Sequence, residues 1–474
     1  MPITDRTVRA VNGLTSRWAG VVGSGAGPSA GDAVRPGFVL SAAGVWPLLG
    51  FLADGAGGAA REELAEGLGV PAGEAAAGAR ELLAGPARMR GPDAALGVWT
   101  KRTAEVREEW AAGLPVGAHG VLSGDAGADR EEFDAWAAKR TDGLIEEMPV
   151  VLTDRTEMVP ASALAVRTDW LRPFSEDAWA PETGPWSGRT LLSLGRRSAL
   201  LDRVGVADTP EGHVTELKVL GDTAVDVHLL LGEERMTPGQ VLGAGVDLLA
   251  RKWPVLPGPR LPYGDVGPGL RVVRVRGRQP EPPTLVVRTA AFDLSAQHDL
   301  LELHRVSGHT TARDLARGHF PGISPLPLAV GSARQSTTAT FGPRGFRAAA
   351  VTAFGIALAG AAPSAPRWVN TRVEASFDRP FGFLAVHRHT RLVLAAGWVT
   401  DPKPYPEDFE DLDARVEFRP AFPSAEAPGP SAGGASAGSP ASLRCSSSTI
   451  RRAIPASETS TASGVASAVS LRRA

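Results

Sequence analysis

The sequence FDRPFGFLAVHRHTRLVLAAGWVTDP at residues 377–402 carries the clearest folding signal in this chain of 474 residues. Two apolar runs, at 382–387 and 391–398, are separated by a short polar turn. Such runs, bounded by turn residues, predict two β-strands. The regular pattern is lost after Asp401-Pro402, so we expect the folded domain to end near residue 402.

Upstream of this stretch the chain changes from helical to strand-like patterns near residue 158. Amphipathic or capped segments predict helices at 4–22, 41–53 (with Ser41 as N-cap), 60–68 and 130–148. Apolar runs predict strands at 38–40, 94–100, 158–167, 214–220, 224–231, 284–292, 326–332 and 336–341. Helices followed mainly by strands predict an α+β fold with a large antiparallel or mixed sheet.

Composition argues against several classes of protein. The net charge of −2 gives no general attraction to nucleic acid or to an anionic membrane. No apolar run reaches the roughly 18 residues that a membrane-spanning helix needs. The single cysteine, Cys445, allows neither an internal disulfide nor a cysteine-based metal site. The first residues lack the apolar core of a signal peptide, so we expect a cytoplasmic protein.

The end of the chain differs in composition from the rest. We divide the sequence into a folded domain at 1–402, an extension at 403–419 and a tail at 420–474. The tail consists mainly of Ser, Ala, Gly and Pro with few aromatic residues. Such a segment buries too little apolar surface to offset the entropy of ordering, so we predict that it is disordered. Its removal should then cost no stability.

Two motifs that suggest chemistry are better explained as surface features. GPSAG at 27–31 and 429–433 matches G-x-S-x-G, but both copies lie in loop-like sequence rather than between a strand and a helix. A hydrolase that uses Ser29 is therefore a minor alternative. His387 and His389 share one strand face, yet no third ligand lies nearby in sequence. We predict no catalytic residue, no metal and no cofactor.

Four segments, in order along the chain, resemble the serpin family of serine protease inhibitors, and in particular an actinomycete-like bacterial member with a divergent hinge. They are FVLSAAGVWPLLGFLADGAGGAAREELAEGLGV (38–70), DAWAAKRTDGLIEEM (134–148), MVPASALAVRTDWLRPF (158–174) and FDRPFGFLAVHRHTRLVLAAGWVTDP (377–402). The resemblance implies the serpin fold: a large sheet A, two further sheets, about eight or nine helices and an exposed reactive-centre loop.

The resemblance also gives a role to GPRGFRAAAVTAFG at 342–355, which would be the hinge of that loop. In the family, a protease that attacks the loop becomes acylated, and the cleaved loop inserts into sheet A as a new strand. Alternate residues from Phe346 to Phe354 would then face the core. The hinge would comprise Gly345, Phe346, Arg347, Ala348, Ala349, Ala350, Val351 and Thr352.

Several positions depart from the family pattern. Phe346 is larger than the Thr that the family prefers at the first inward position, and Pro343 removes a backbone donor near the hinge. Under sheet A, the family has a polar cluster called the shutter. Its counterparts here would be Ser41, Gly44, Ser162 and Gln335. Because polar residues remain at most of these positions, we expect a rewired hydrogen-bond network.

Counting from Gly345 places the reactive bond at Ala359–Gly360, with Arg367–Trp368 as a rival. A small residue before the bond would suit a subtilisin- or elastase-like protease, whereas Arg367 would suit a trypsin-like one. The resemblance therefore implies a monomeric suicide-substrate inhibitor that forms a covalent complex with a serine protease and is not itself an enzyme. It also makes an extracellular location an alternative. The competing hypothesis is a serpin-fold carrier or chaperone-like protein whose hinge no longer permits trapping.

Overall fold

A computed structural model describes residues 3–24, 36–85, 91–345, 367–406 and 463–473. These residues form three β-sheets and eight α-helices, so the predicted α+β fold is confirmed. No helix among them is both long and apolar enough to cross a membrane.

The helices lie mainly in the first third of the chain, as the sequence predicts. Ser41 is the N-cap of α2, because its side chain accepts a hydrogen bond from the Gly44 backbone. Gly69 ends α3 in a left-handed conformation, with φ of 71°. The helices are α1 (Asp5–Ser24), α2 (Ala42–Gly55), α3 (Gly58–Leu68), α4 (Ala72–Ala84), α5 (Glu108–Ala112), α6 (Ala126–Thr141), α7 (Pro238–Leu249) and α8 (His304–Ser307).

The strands follow the apolar runs. They are β1 (Phe38–Leu40), β2 (Pro92–Thr100), β3 (His119–Val121), β4 (Thr156–Val166), β5 (Ser175–Trp179), β6 (Leu191–Ser198), β7 (Val204–Thr209), β8 (Gly212–Val219), β9 (Val225–Gly232), β10 (Val255–Pro257), β11 (Gly264–Gly267), β12 (Leu270–Gly277), β13 (Thr284–Ala290), β14 (Phe292–Asp299), β15 (Leu328–Phe341), β16 (Trp368–Ser376), β17 (Phe381–His387), β18 (Val393–Val399) and β19 (Ser463–Arg473).

The sheet that matters most for function has the strand order β14-β15-β19-β4-β2-β3. We call it sheet A, because it contains Met158 and Gln335, which the resemblance assigns to strands of that sheet. It is mixed: β2 and β3 are parallel, and the other neighbours are antiparallel. Sheet B has the order β1-β18-β17-β9-β8-β7-β10, and sheet C has the order β11-β12-β16-β13-β6-β5.

Sheet A is buried on both faces. On one face its aliphatic side chains join the main core with α2, α4 and α7. On the other face α6 covers it through Phe133 and Ala137, which pack with Trp99 and Met148. A strand in the middle of this sheet must therefore present apolar or small residues to both sides.

One local prediction was wrong, and two further elements were not predicted. The helix predicted at 130–148 ends at Thr141, because Asp142 and Gly143 both adopt positive φ. Helix α7 was missed, although Thr237 and Gln240 form a capping box in front of it. Strand β16 at Trp368–Ser376 was also missed, so the chain after the predicted loop returns to a sheet earlier than expected.

The prediction of a disordered tail at 420–474 was wrong for residues 463–473. These residues form β19 in the middle of sheet A, and all from Ser463 to Leu471 are buried. The physical reason is that an unpaired central position in a sheet offers hydrogen bonds on both edges and two apolar faces. Such a site can order a small-residue segment that could not form a core alone. Residues 420–462 lie outside the described residues.

Replacement of Leu471 by Ala tests whether β19 is part of the folded domain. Leu471 is fully buried in the main core, so Leu471→Ala should lower the free energy of unfolding by about 2–5 kcal/mol. Arg473→Ala, at the exposed end of the same strand, should change it by less than about 0.5 kcal/mol. Urea denaturation of both variants provides the measurement. Equal stability of the two variants would show that the tail does not pack in the sheet.

Candidate functional site in sheet A

The candidate site is the position between β4 and β15, which we call the slot. β19 fills it and is antiparallel to both neighbours, from Ala339 beside Ser463 to Leu328 beside Arg473 on the β15 edge. On the β4 edge the pairing runs from Val166 beside Ser463 to Thr156 beside Arg472. β4 and β15 therefore run in the same direction, with β19 as the strand that completes both ladders.

Alternate residues of β19 serve two different environments. Val465, Val469 and Leu471 belong to the main core, on the face that carries α2. Ala466 and Ala468 lie on the opposite face, in the cluster beneath α6. Side chains alternate across a strand, so the sequence SGVASAVSLRR directs its larger aliphatic groups into the main core and its small groups toward α6, which lies close to the other face.

Gln335 connects β15, α2 and β19 at the centre of the slot. Its Oε1 accepts a hydrogen bond from the Ser41 backbone N–H at 3.0 Å and one from Thr337 Oγ1 at 3.0 Å. Its Nε2 donates to the Ser41 carbonyl at 2.9 Å and to Ser467 Oγ at 3.1 Å. All four side-chain hydrogen-bonding positions of this fully buried amide are used, which fixes its orientation.

Ser162 and Gly44 meet directly below β4. The Ser162 hydroxyl donates to the Gly44 carbonyl, while the Gly44 N–H donates to Ser41 Oγ at 3.0 Å. The Ser41 hydroxyl donates in turn to the Leu394 carbonyl at 2.6 Å. The structure thus brings together the four residues that the sequence analysis placed in the shutter, and adds Ser467 to them.

Gly44 also leaves space for the tail strand. A Cβ atom at this position would lie 2.8 Å from Cγ1 of Val465, closer than real Cβ contacts allow. At the next position along β19, a Cβ on Gly464 would lie 2.5 Å from Cβ of Leu144, in the segment after α6. Both glycines are needed because β19 is packed closely from above and below.

The far end of β19 shows a similar fit. Ser332 and Ser470 are buried, and their hydroxyl groups form a hydrogen bond of 2.8 Å. The side chain of Arg472 crosses the backbone of Gly331, where any Cβ atom would overlap its Cδ and Nε. Close packing between β19 and the slot therefore continues as far as Arg472, although the buried Ser463 Oγ and Arg472 Nε find no hydrogen-bond partner among the described residues.

Residues 342–345, directly after β15, turn away from the edge of the slot. Trp170 holds this segment twice: its Nε1 donates to the Gly342 carbonyl at 2.9 Å, and its backbone N–H donates to the Arg344 carbonyl at 2.8 Å. The backbone N–H of Phe174 donates to the Pro343 carbonyl at 2.7 Å. Gly345 forms an isolated antiparallel bridge with Asp169, and a Cβ on Gly345 would lie 2.5 Å from Asp169 Cα. This segment therefore crosses over the end of β4, and Pro343 takes no part in a sheet ladder.

His298 supports the slot from the β14 edge, where it is the partner of Gln335. Its Nε2 donates to the Val39 carbonyl at 2.8 Å, and its ring packs edge-on against Trp18 at 5.3 Å between centroids. Burial lowers the pKa of His298, and its hydrogen bond to Val39 opposes this only in part. The neutral imidazole therefore acts as a fixed donor in this region.

The remaining site predictions fall elsewhere. Of the hinge, only Gly345 lies in the described part of the chain; Phe346 to Thr352 lie outside it, as do Ala359, Gly360 and Ser29. Trp368, from the rival reactive bond, is the first residue of β16 and pairs with Gly277. His387 and His389 lie 5.6 Å apart between ring centroids, and His387 Nδ1 forms a hydrogen bond with Thr390 Oγ1.

Sequence reasoning missed the strand that occupies the slot. The available signal was the alternation in GVASAVSL at 464–471, which contains no proline or charged residue. Read alone, it is an apolar and small alternation typical of a buried strand. It was hidden by the Ser- and Ala-rich composition of the residues around it.

Comparison with known proteins agrees with this architecture. The family model described as "Serpin (serine protease inhibitor)" matches residues 32–183. A serpin-Z6C of Oryza sativa subsp. japonica is 27% identical over 428 residues, which cover 83% of this chain and 97% of the relative.

Solved structures show the same fold. A cleaved serpin 42Da has a TM-score of 0.60 and 16% identity, over 84% of this chain and 98% of that one. Human thyroxine-binding globulin complexed with thyroxine has a TM-score of 0.61 and 16% identity, over 84% of this chain and 100% of that one.

A double-mutant cycle tests the contact between Gly44 and the tail. Gly44→Ala should lower the free energy of unfolding by about 1–3 kcal/mol, because the added methyl group overlaps Val465. In a Val465→Ala background the same change should cost less, with a coupling energy of about 0.5–3 kcal/mol. Gly20→Ala is the matched control, since a Cβ at Gly20 meets no atom within 4 Å and should show no coupling. Additive effects of Gly44→Ala and Val465→Ala would refute the contact.

Proposed function

Because this chain is a member of the serpin family, we propose that it inhibits serine-type endopeptidases as a suicide substrate. In this proposal the protease cleaves the reactive-centre loop and becomes acylated through its active-site serine. The loop then enters the slot of sheet A and carries the protease with it before the acyl bond is hydrolysed. The chain is consumed in this process and does not act as an enzyme.

The observation that carries the proposal is that the slot accepts a complete strand. A segment of small and aliphatic residues lies there with backbone pairing to both β4 and β15. Insertion into such a position completes two ladders and buries side chains on both faces, which is the free energy that a trapping mechanism needs. The predicted hinge, which is rich in Ala, suits the same position.

We favour Ala359–Gly360 as the reactive bond. A protease cleft binds several residues on each side of the bond in an extended conformation, and those residues must be free of other pairing. The rival bond would join Arg367 to a residue already paired in sheet C, Trp368. The preferred target is then a protease of subtilisin- or elastase-like specificity. We further propose that the inhibitor is a monomer and acts in the cytoplasm, with an extracellular site of action as the alternative.

A second function deserves a test because β19 already fills the slot. If β19 stays in the slot, the loop cannot insert into sheet A, and the fold could serve as a binding protein instead. Thyroxine-binding globulin, a fold neighbour whose solved complex contains thyroxine, is a structural precedent. The large side chain of Phe346 at the first inward hinge position favours the same alternative.

Protease challenge of the full chain separates the two functions. The protein is mixed with subtilisin, pancreatic elastase and trypsin, and the products are analysed by denaturing gel and mass spectrometry. We expect an SDS-stable adduct with subtilisin or elastase and a new end at Ala359, because an acyl-enzyme ester survives denaturation. The same proteases with their active-site serine chemically blocked provide the control and should give neither product.

Cleavage between residues 346 and 366 without any adduct would contradict the trapping proposal and support the binding protein. Cleavage after Arg367 by trypsin, with an adduct, would move the reactive bond to the rival position and keep the mechanism.

A further inference from the structure

We propose that residues 463–473 are an internal competitor that occupies the slot and must leave it before the reactive loop can insert. The proposal rests on the function proposed above and adds a regulatory element to it. The inhibitor would be held in a restrained form by its own tail, and displacement of that tail would release the trapping activity.

The tail and the loop would require the same place in the same direction. β19 enters the slot beside Ala339, near the end of β15, and finishes beside Leu328. A loop that follows β15 and folds back into the slot would also run antiparallel to β15, from the same end. The two segments therefore cannot occupy the slot together.

The sequences of the two segments also correspond in register. The bridge between Gly345 and Asp169 fixes where the residues after Gly345 would meet β4. Continued along β4, this register would bring Ala350 opposite Leu164 and Thr352 opposite Ser162. In the structure these places are taken by Val465 and Ser467. A hydroxyl residue would thus replace a hydroxyl residue beside Gln335, and a small apolar residue would replace Val465.

The residues that line the slot fit the side chains of β19. Gly44 accommodates Val465, Gly331 accommodates Arg472, and Ser332 forms a hydrogen bond with Ser470. Gln335 donates to Ser467 Oγ while it holds Ser41. These four contacts come from two elements, α2 and β15, and are spread along the strand from Val465 to Arg472, which indicates a dedicated binding position rather than chance filling of a gap.

The tail can reach the slot from within the same chain. The 56 residues from 407 to 462 separate Pro406 from β19. A chain of that length can extend to roughly 190 Å, several times the length of an eleven-residue strand, so its ends are not held apart by the covalent connection. A tether of this kind gives the tail a high effective concentration at the slot.

A reversible crosslink tests the proposal in the full chain. Ala163 and Ala466 are direct partners on β4 and β19, so Cys residues at both positions would satisfy disulfide geometry. The variant Ala163→Cys/Ala466→Cys is made in a Cys445→Ser background. We expect an intramolecular disulfide on mild oxidation, detected by peptide mapping under non-reducing conditions.

The matched control is Ser162→Cys/Ala466→Cys in the same background. Ser162 is the neighbour of Ala163, and its side chain points to the opposite face of β4, so this pair should not crosslink. Equal crosslinking of both pairs, or none in either, would overturn the placement of the tail. A disulfide-linked dimer would show that the strand comes from a second copy and would overturn an internal competitor.

Protease challenge of the crosslinked variant then measures competition. Oxidised protein should be cleaved in the loop and should release the protease, whereas reduced protein should give at least a fivefold larger fraction of SDS-stable adduct. Equal trapping in the two states would overturn the proposal, because loop insertion would not need the slot that the tail occupies.

A labelled synthetic peptide with the sequence of residues 345–358 distinguishes failure of the inference from failure of the proposed function. If neither redox state traps a protease, the inhibitor proposal fails. Uptake of the peptide by the reduced form alone would still support competition for the slot. Uptake by both forms, or by neither, would overturn it.

Discussion

The stability of sheet A depends on hydrogen-bond partners for the backbone groups on the facing edges of β4 and β15. The two strands run in the same direction, and each presents a row of backbone N–H and C=O groups to the slot. Buried groups of this kind must find partners, because leaving them unpaired costs about as much as losing hydrogen bonds outright. Without β19 the two edges would have to close on each other or recruit another strand. This demand makes the slot a place where segments of one chain compete.

Gln335 makes the slot selective for the side chains of the strand that occupies it, beyond the need for backbone pairing. Its amide joins the start of α2, through Ser41, to the hydroxyl of Ser467 in the inserted strand. A buried amide with every position satisfied rigidifies its surroundings, and one that loses a partner is costly. A hydroxyl residue is therefore favoured at the matching place of any occupant. Ser467 meets this requirement now, and Thr352 would meet it after loop insertion in the proposed mechanism.

Stability and inhibition draw on the same free energy in this proposal. Whatever β19 contributes by completing the sheet is no longer available to drive loop insertion, since the loop gains only the difference between the two occupants. Among the described residues, β19 is held in the slot by hydrogen bonds and packing, so the proposed restraint is reversible. The close fit around Gly44 and Gly331 sets how strongly the tail is held.

The sequence alone determined the α+β class, the strands around residues 158–167 and 377–402, and the set of polar residues beneath sheet A. The class and the strands follow from local periodicity, whereas the polar residues beneath sheet A were assigned through the resemblance to the serpin family. The end of α6 at Asp142 and the capping box of α7 were also readable locally, but were overlooked.

Only the tertiary structure decided that residues 463–473 of the tail form a strand. The segment 463–473 has only a weak local preference for a strand. Its order comes from two ladders and two packed faces supplied by residues about 120 to 420 positions earlier in the chain. Composition gives the cost of ordering a segment, whereas the fold decides whether a site exists that offsets this cost.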